Sequence, residues 1–301
     1  MFMLDAKVRS WYSDRPRRPW VPDFRSYYRD DPGQLLHAGQ TNSPDMVLAE
    51  LDDVGIAGAI LTPAMVYGRS MELEFEAIER HPGRFALFGV ADHLDPDLRQ
   101  VLARSVDRGL RGLHIPGLRE AELVARGEFD PLLDACAELG VTVTMPFPDP
   151  IRPPLLDMFR RHRGVFFYLD GVSPSNLPLI TGMRPSEPFR HLGSLLLLAH
   201  VPNVGVLLSG VPALSFETYP YRDVWSAVEQ VVTAYGSERV SWASDFTRTA
   251  GLYSYADGAT YLTEIPSLSD EQRMLLYGAG MLERIGGRMP LTSIDVPGSA
   301  R

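Results

Sequence analysis

Three charged side chains stand at alternating positions around the first apolar segment of the chain. The segment runs from Met3 to Val8 and is followed directly by Arg9. It contains Asp5 and Lys7, and Lys7 is the single lysine among 29 basic residues. Residues two apart on a β-strand point to the same face. The spacing therefore predicts that Asp5, Lys7 and Arg9 share one face of a first strand.

The chemistry open to Lys7 depends on its neighbours. Beside Arg9, in a pocket with little water, a lysine favours its neutral amine, which can act as a base or form a Schiff base with a carbonyl substrate. Beside aspartates it keeps its charge and serves as an electrostatic clamp. In a third interpretation Lys7 only pairs with aspartates and stabilises the fold. The sequence alone leaves all three interpretations open.

Short apolar runs alternate with amphipathic segments along the chain. The strand-like runs are Met3–Val8, Ala59–Thr62, Phe85–Val90, Gly112–Ile115, Val141–Met145, Val165–Leu169, Val204–Leu208 and Val240–Ala243. The helical patterns are Ser43–Val54, Met71–Arg80, Leu98–Arg108, Phe129–Leu139, Pro154–Arg163, Arg190–His200, Tyr221–Ala234 and Asp270–Ile285. Eight strand-then-helix units predict a single (β/α)8 TIM barrel over residues 1–287. A doubly wound open sheet is the alternative, but no glycine-rich turn follows Val8.

Functional side chains of a TIM barrel stand at the carboxyl ends of its strands. That rule selects His114 at the end of the fourth strand, Asp170 at the end of the sixth and Asp245 after the eighth. Together with Lys7 they are the predicted catalytic residues. The predicted substrate-binding residues are Arg9, Trp11, Tyr67, Phe147 and Arg248.

A long first connection, residues 10–42, is rich in aromatic residues and arginine. We interpret it as an ordered lid over the barrel mouth, which favours a small anionic or aromatic substrate. The alternative is a loop that caps the barrel or contacts a second subunit, as in a homodimer. Residues 288–301 contain mainly small residues and proline, and a frayed tail is predicted there.

Composition excludes several other classes of function. The net charge of −9 argues against nucleic acid and against anionic membrane surfaces as partners. The single cysteine, Cys136, rules out an internal disulfide and fits a buried helical position. The amino terminus lacks the pattern of a signal peptide, so a cytoplasmic protein is expected. The uncharged stretch Ser194 to Leu214 is interrupted by Pro202, and we interpret it as a helix end, a turn and a buried strand.

Several short motifs occur in a characteristic order along nearly the whole chain. They are Leu51-Asp52-Asp53-Val54-Gly55-Ile56, His81-Pro82-Gly83-Arg84-Phe85, Gly109-Leu110-Arg111-Gly112-Leu113, Pro202-Asn203-Val204-Gly205-Val206-Leu207-Leu208-Ser209-Gly210 and Glu238-Arg239-Val240-Ser241-Trp242-Ala243-Ser244-Asp245-Phe246. In this order and spacing the chain resembles the amidohydrolase-related family of TIM-barrel hydrolases and decarboxylases.

The resemblance implies a metal site that this sequence does not reproduce. Members of that family typically have His-x-His on strand 1, a histidine at the end of strands 5 and 6, and an aspartate at the end of strand 8. Lys7 and Arg9 occupy the first pair of positions, Pro146 and Asp170 the next two, and only Asp245 matches. Protonated lysine and arginine do not ligate zinc. We therefore expect no metal cofactor, with a weaker zinc-like site at His114, Asp170 and Asp245 as the alternative.

The function that this resemblance implies is hydrolysis of an amide, ester or lactone bond in a small organic molecule. A metal-independent lyase, decarboxylase or cyclase that uses Lys7, Asp170 and Asp245 is the second hypothesis. A small-molecule-binding protein that has lost the chemistry is the third.

Overall fold

The computed structural model describes residues 3–10, 42–63, 70–115, 118, 120–147, 151–170, 172, 186–246 and 249–286. Eight parallel strands form one sheet, and each strand pairs with the next one along the chain. The strands are β1 (Leu4–Val8), β2 (Gly58–Leu61), β3 (Phe85–Gly89), β4 (Leu110–His114), β5 (Thr142–Pro146), β6 (Phe167–Asp170), β7 (Val204–Ser209) and β8 (Val240–Ala243). All eight predicted strands are present.

The sheet curls into a nearly closed barrel. Val8, the last residue of β1, forms a parallel bridge with Phe246, just beyond β8. The backbone N–H of Arg9 donates a hydrogen bond of 2.7 Å to the carbonyl of Phe246. The predicted (β/α)8 TIM barrel is therefore confirmed, and the doubly wound alternative is wrong.

Helices connect the strands and cover the outside of the barrel. The α-helices are α1 (Pro44–Val54), α2 (Glu72–Arg80), α3 (Leu98–Asp107), α4 (Ala121–Ala125), α5 (Asp130–Leu139), α6 (Pro153–Arg161), α7 (Leu192–Leu196), α8 (Trp225–Tyr235), α9 (Tyr255–Thr260), α10 (Asp270–Met274) and α11 (Gly280–Arg284). Side-chain caps fix the starts of α1 and α10. Ser43 Oγ accepts a hydrogen bond from the backbone N–H of Met46, and Ser269 and Gln272 form a capping box.

Apolar side chains pack in two layers, one on each face of the sheet. In the outer layer, Ala59 and Leu61 of β2 belong to the same cluster as Val47 and Leu51 of α1. The barrel interior is filled by residues from several strands and from the last helix: Leu4, Ala6, Ile60, Ala86, Phe88, Tyr168, Leu207, Ala243, Met281 and Ile285. Because the interior is packed, we expect a ligand at the mouth of the barrel.

The helix predicted over Asp270–Ile285 is broken in the structure. A π-helical segment, Leu275–Ala279, separates α10 from α11, and Gly278 within it has φ +123°. The break brings the backbone against the start of β1, where a methyl group on Gly278 would lie 2.5 Å from Leu4 Cβ. The helix predicted from Tyr221 begins only at Trp225, because Tyr221 itself has a left-handed backbone (φ 61°).

The uncharged stretch from Ser194 to Leu214 folds as predicted, with the end of α7, a 3₁₀ segment at Leu197–His200 and then the buried strand β7. Within the described residues, no helix is long and apolar enough to cross a membrane. The predicted loop at 10–42 and tail at 288–301 lie outside the described residues, apart from Ser10 and Asn42.

We expect Gly278→Ala to destabilise the barrel far more than Gly140→Ala. Both glycines have positive φ, but a methyl group on Gly140 meets no atom within 4 Å. Gly140→Ala should therefore cost only the strain of the left-handed backbone, about 1 kcal/mol. Gly278→Ala adds the collision with Leu4 and should cost roughly 2–4 kcal/mol of unfolding free energy. Urea unfolding of both variants measures the difference, and equal losses would show that the contact with Leu4 does not constrain the backbone.

Candidate active site

The register between β1 and β2 shifts within β1. Asp5 pairs with Ala59, whereas Val8 pairs with Leu61. The strand therefore holds one more residue than β2 between these two pairs. An extra residue of this kind bulges the strand and reverses the alternation of its side chains.

The bulge separates the side chain of Asp5 from that of Lys7. Leu4 and Ala6 pack in the barrel interior, which places Asp5, between them, on the opposite face. Lys7 follows the bulge and enters the mouth of the barrel, where it meets carboxylates of other strands. The prediction that Asp5, Lys7 and Arg9 share one face is therefore wrong for Asp5.

Lys7 lies between two carboxylates. Its Nζ donates a hydrogen bond to Asp170 Oδ2 at the end of β6, and it lies 3.1 Å from Asp245 Oδ1 beyond the end of β8. All three side chains are at least nine-tenths buried. A cation at this distance from two carboxylates is compensated electrostatically. The structure thus brings together three of the four predicted catalytic residues, in the arrangement of an electrostatic clamp.

Asp245 is held in an unusual backbone conformation. Its φ is +55°, a left-handed value that costs a residue with a side chain about 1–3 kcal/mol. The neighbouring carbonyl of Ser244 accepts hydrogen bonds from Thr249 Oγ1 at 3.1 Å and from the Tyr253 hydroxyl at 3.2 Å. The backbone N–H of Thr249 donates to the Asp245 carbonyl. These bonds maintain a turn that directs a fully buried carboxylate at Lys7.

Asp5 ties together the two strands that carry Lys7 and Asp245. Its Oδ1 accepts the backbone N–H of Lys7 at 3.2 Å and that of Ser244 at 2.9 Å. Its Oδ2 accepts the hydroxyl of Tyr255, on α9, at 2.7 Å. Complete burial raises the pKa of Asp5 to about 6, although these hydrogen bonds act in the opposite direction. Asp5 therefore fixes the backbone on which Lys7 and Ser244 lie.

The contribution of Asp5 and Tyr255 could not be predicted from the sequence. Asp5 was recognised as an acid in an apolar strand, but the bulge that turns it outward has no signature in the residue pattern. Tyr255 lies 250 positions away, and only the fold shows that its hydroxyl meets Asp5. The one available signal was the presence of a carboxylate inside a segment that is otherwise buried.

His114 lies at the end of β4 and is buried. Its Nδ1 is 3.0 Å from the hydroxyl of Thr144 on β5. Its Nε2 is also buried and has no hydrogen-bond partner among the described residues. Burial and, to a smaller extent, the positive charges of Lys7 and Arg9 lower the pKa of His114 to about 3, against the opposite effect of the Asp170 and Asp245 carboxylates. His114 is therefore a neutral imidazole among two cations and two carboxylates.

Arg9 is buried at the start of the first connection. Its backbone is fixed on both sides, because its N–H donates to Phe246 and its carbonyl accepts a 2.7 Å hydrogen bond from Asn42 Nδ2. The guanidinium is close enough to affect His114. Arg9 thus supplies a second positive charge close to His114.

The predicted substrate-binding residues differ in what the structure shows. Phe147 follows β5, is buried, and has its ring centroid 5.8 Å from that of His191. Its backbone N–H donates to the carbonyl of Asp170 at 3.1 Å, so it is tied to the end of the neighbouring strand. Trp11, Tyr67 and Arg248 lie outside the described residues.

The donors around Lys7 do not fit a divalent metal ion. A metal needs three or four neutral or anionic ligands that converge on one point. In the described part of the chain, no group of three or more histidine, cysteine, aspartate or glutamate residues is arranged to hold a metal. His114, Asp170 and Asp245 form no such group, and an ammonium already lies between the two carboxylates.

The sequence model of the amidohydrolase family matches residues 14–279 of the chain. A search of curated protein sequences finds no significant match.

Several solved structures share the fold. An amidohydrolase from Burkholderia multivorans with bound zinc superposes with a TM-score of 0.69 at 18% identity, over 95% of this chain and 99% of that one. A protein from Pseudomonas putida named as a 2-pyrone-4,6-dicarboxylic acid hydrolase gives 0.67 at 17% identity, over 95% and 98%. The 5-carboxyvanillate decarboxylase of Sphingomonas paucimobilis gives 0.59 at 14% identity, over 94% and 98%. Identities this low show a common fold alone.

We expect Asp5→Asn to change how stability depends on pH. The pKa of Asp5 rises from its ordinary value of 3.8 to about 6 on folding. The stabilisation linked to its proton is therefore complete below about pH 4 and is lost as the pH rises through 6, by roughly 3 kcal/mol in total. The variant has no proton to lose at this position, so it should become more stable relative to the parent protein over that range.

Urea unfolding at several values between about pH 4 and about pH 7 measures this difference. Asp53→Asn, which removes an exposed carboxyl group, serves as the matched control and should keep a constant difference from the parent. A constant difference for Asp5→Asn as well would show that Asp5 ionises as easily in the folded chain as in the unfolded one.

Proposed function

Because the chain belongs to the amidohydrolase family, we propose that it is a metal-independent hydrolase that cleaves an amide, ester or lactone bond in a small anionic substrate. The proposal concerns the mouth of the barrel, where Lys7, Arg9, His114, Asp170 and Asp245 lie at the carboxyl ends of strands. A relative of the same fold is named as a hydrolase of a dicarboxylic acid.

One observation carries the proposal, the ammonium of Lys7 between the carboxylates of Asp170 and Asp245. In the family pattern described above, the first strand contributes histidines to a metal at this place. In this chain the ammonium of Lys7 lies at the position of that metal. It can stabilise negative charge that develops on a substrate oxygen, which is one of the tasks a metal performs in hydrolysis.

Asp245 is the group we assign as general base. Its carboxylate is fully buried and is oriented by the left-handed turn and by Lys7. From this position it accepts a proton from a water molecule that attacks the substrate carbonyl. Asp170 balances the charge of Lys7 and keeps the ammonium in place between the two strands. The oxyanion that forms on the carbonyl is stabilised by Lys7. When the carbonyl re-forms, the C–O or C–N bond to the leaving group breaks, and Asp245 returns its proton to the leaving oxygen or nitrogen.

Arg9 is the group that we assign to an anionic part of the substrate. The charge of Lys7 is balanced by the carboxylates of Asp170 and Asp245, and the imidazole of His114 is neutral at physiological pH. A substrate carboxylate would therefore be attracted to the side of the pocket that Arg9 occupies. Phe147 offers an apolar surface near the same mouth.

Decarboxylation is the second candidate, and the decarboxylase among the proteins that share the fold favours it. The guanidinium of Arg9 would bind the carboxylate that leaves. The two reactions differ in their products, since hydrolysis adds one water to the substrate and decarboxylation releases carbon dioxide. A binding protein would return every ligand unchanged.

The experiment is a panel of carboxylated lactones, esters, amides and phenols, incubated with protein freed of metals by a chelator. Mass spectrometry identifies whether a compound gains water or loses carbon dioxide. We expect gain of water in at least one lactone, ester or amide, at the same rate with and without chelator. Loss of carbon dioxide would support the second candidate instead, and activity that appears only when a metal is restored would overturn metal independence.

Asp245→Asn and Lys7→Met should both abolish this hydrolysis. Loss of a general base costs about 10²–10⁴ in rate, and loss of an oxyanion donor about 10²–10³. Lys7→Met also leaves two buried carboxylates uncompensated, so the charge-balanced double variant Lys7→Met with Asp170→Asn should be tested beside it. Arg99→Met, which removes a cation with 70% of its side chain exposed, is the control and should keep full activity. Full activity of the folded double variant would reduce Lys7 to a structural role.

A further inference from the structure

We propose that Thr144 is a positioning residue that holds His114 as a hydrogen-bond acceptor, with the proton on Nδ1 and a lone pair on the buried Nε2. The position of the proton on His114 does not depend on the proposed reaction. Its consequence for substrate choice rests on the proposed function.

The hydroxyl of Thr144 has one proton to give. Its oxygen lies 3.0 Å from His114 Nδ1, and it donates a hydrogen bond to the carbonyl of Leu113 at 3.4 Å. When the proton points to Leu113, the oxygen can only accept from the imidazole. His114 must then carry its proton on Nδ1, and Nε2 is left with a lone pair.

Nε2 is the nitrogen of His114 that lacks a hydrogen bond to any described residue. It is buried and has no hydrogen-bond partner within the part of the chain that the structure describes. A buried polar atom without a partner costs free energy, and a ligand that supplies one recovers it. The ligand class is therefore an anion that also carries a hydroxyl, an N–H or a protonated acid group, placed to donate to Nε2.

This arrangement limits what His114 can do in catalysis. A neutral imidazole without a proton on Nε2 cannot protonate a leaving group from that nitrogen. It can orient a substrate hydroxyl or a water molecule by accepting from it. Thr144 would act only through His114, so its removal should change the tautomer before it changes anything else.

Nitrogen-15 NMR of histidine-labelled protein tests the proposal without a substrate. The signal of His114, one of seven histidines, is assigned by its loss in His114→Gln. In the parent protein we expect neutral imidazole with the proton on Nδ1. In Thr144→Val the ratio of the two tautomers should move toward Nε2–H by about tenfold, as expected for one lost hydrogen bond. Thr144→Ser, which keeps the hydroxyl, should restore the parent spectrum.

A parent protein with its proton on Nε2, or a tautomer ratio that Thr144→Val leaves unchanged, would overturn the proposal. If a hydrolysed substrate has been found, kcat of Thr144→Val should fall about tenfold while that of Thr144→Ser stays near the parent value. Failure of the proposed hydrolysis would leave the NMR result intact, so the two can be judged separately.

Discussion

A buried ammonium needs anions within reach, and Lys7 is the point around which this barrel arranges them. Desolvation makes a lone charge in the interior unfavourable by several kcal/mol, whereas a cation between two carboxylates is compensated. Asp170 and Asp245 provide that compensation from two other strands. The position of the cation therefore determines how the ends of β1, β6 and β8 must lie relative to each other.

The backbone around Lys7 is shaped to make this possible. A bulge in β1 turns the lysine inward and turns Asp5 outward. Asp5 then accepts the backbone amides of Lys7 and Ser244 and the hydroxyl of Tyr255. One side of the strand thus carries the reactive charges, while the other carries a carboxylate that joins β1 to the end of β8. Where β1 is joined to the end of β8, the strained backbone is the left-handed turn at Asp245.

Much of the fold could be predicted from the sequence, because continuous apolar runs and amphipathic segments report burial directly. The carboxyl-end rule also brought Lys7, Asp170 and Asp245 together correctly, since it depends only on strand order. The face of Asp5 could not be predicted, because a single extra residue in β1 reverses the alternation and leaves no compositional trace. The hydrogen bond from Thr144 to the strand that carries His114 was missed for a similar reason, since it depends on the register between β4 and β5.

We infer that Lys7 is charged and is held by Asp170 and Asp245. Because the chain has a single lysine, the charge of Lys7 can be measured directly. Protein labelled with nitrogen-15 in the lysine side chain gives one side-chain signal that needs no assignment. At neutral pH we expect the signal of a charged ammonium, shifted in both Asp170→Asn and Asp245→Asn, with the exposed variant Asp53→Asn as the control. The signal of a neutral amine, or an ammonium signal that neither substitution moves, would contradict the clamp.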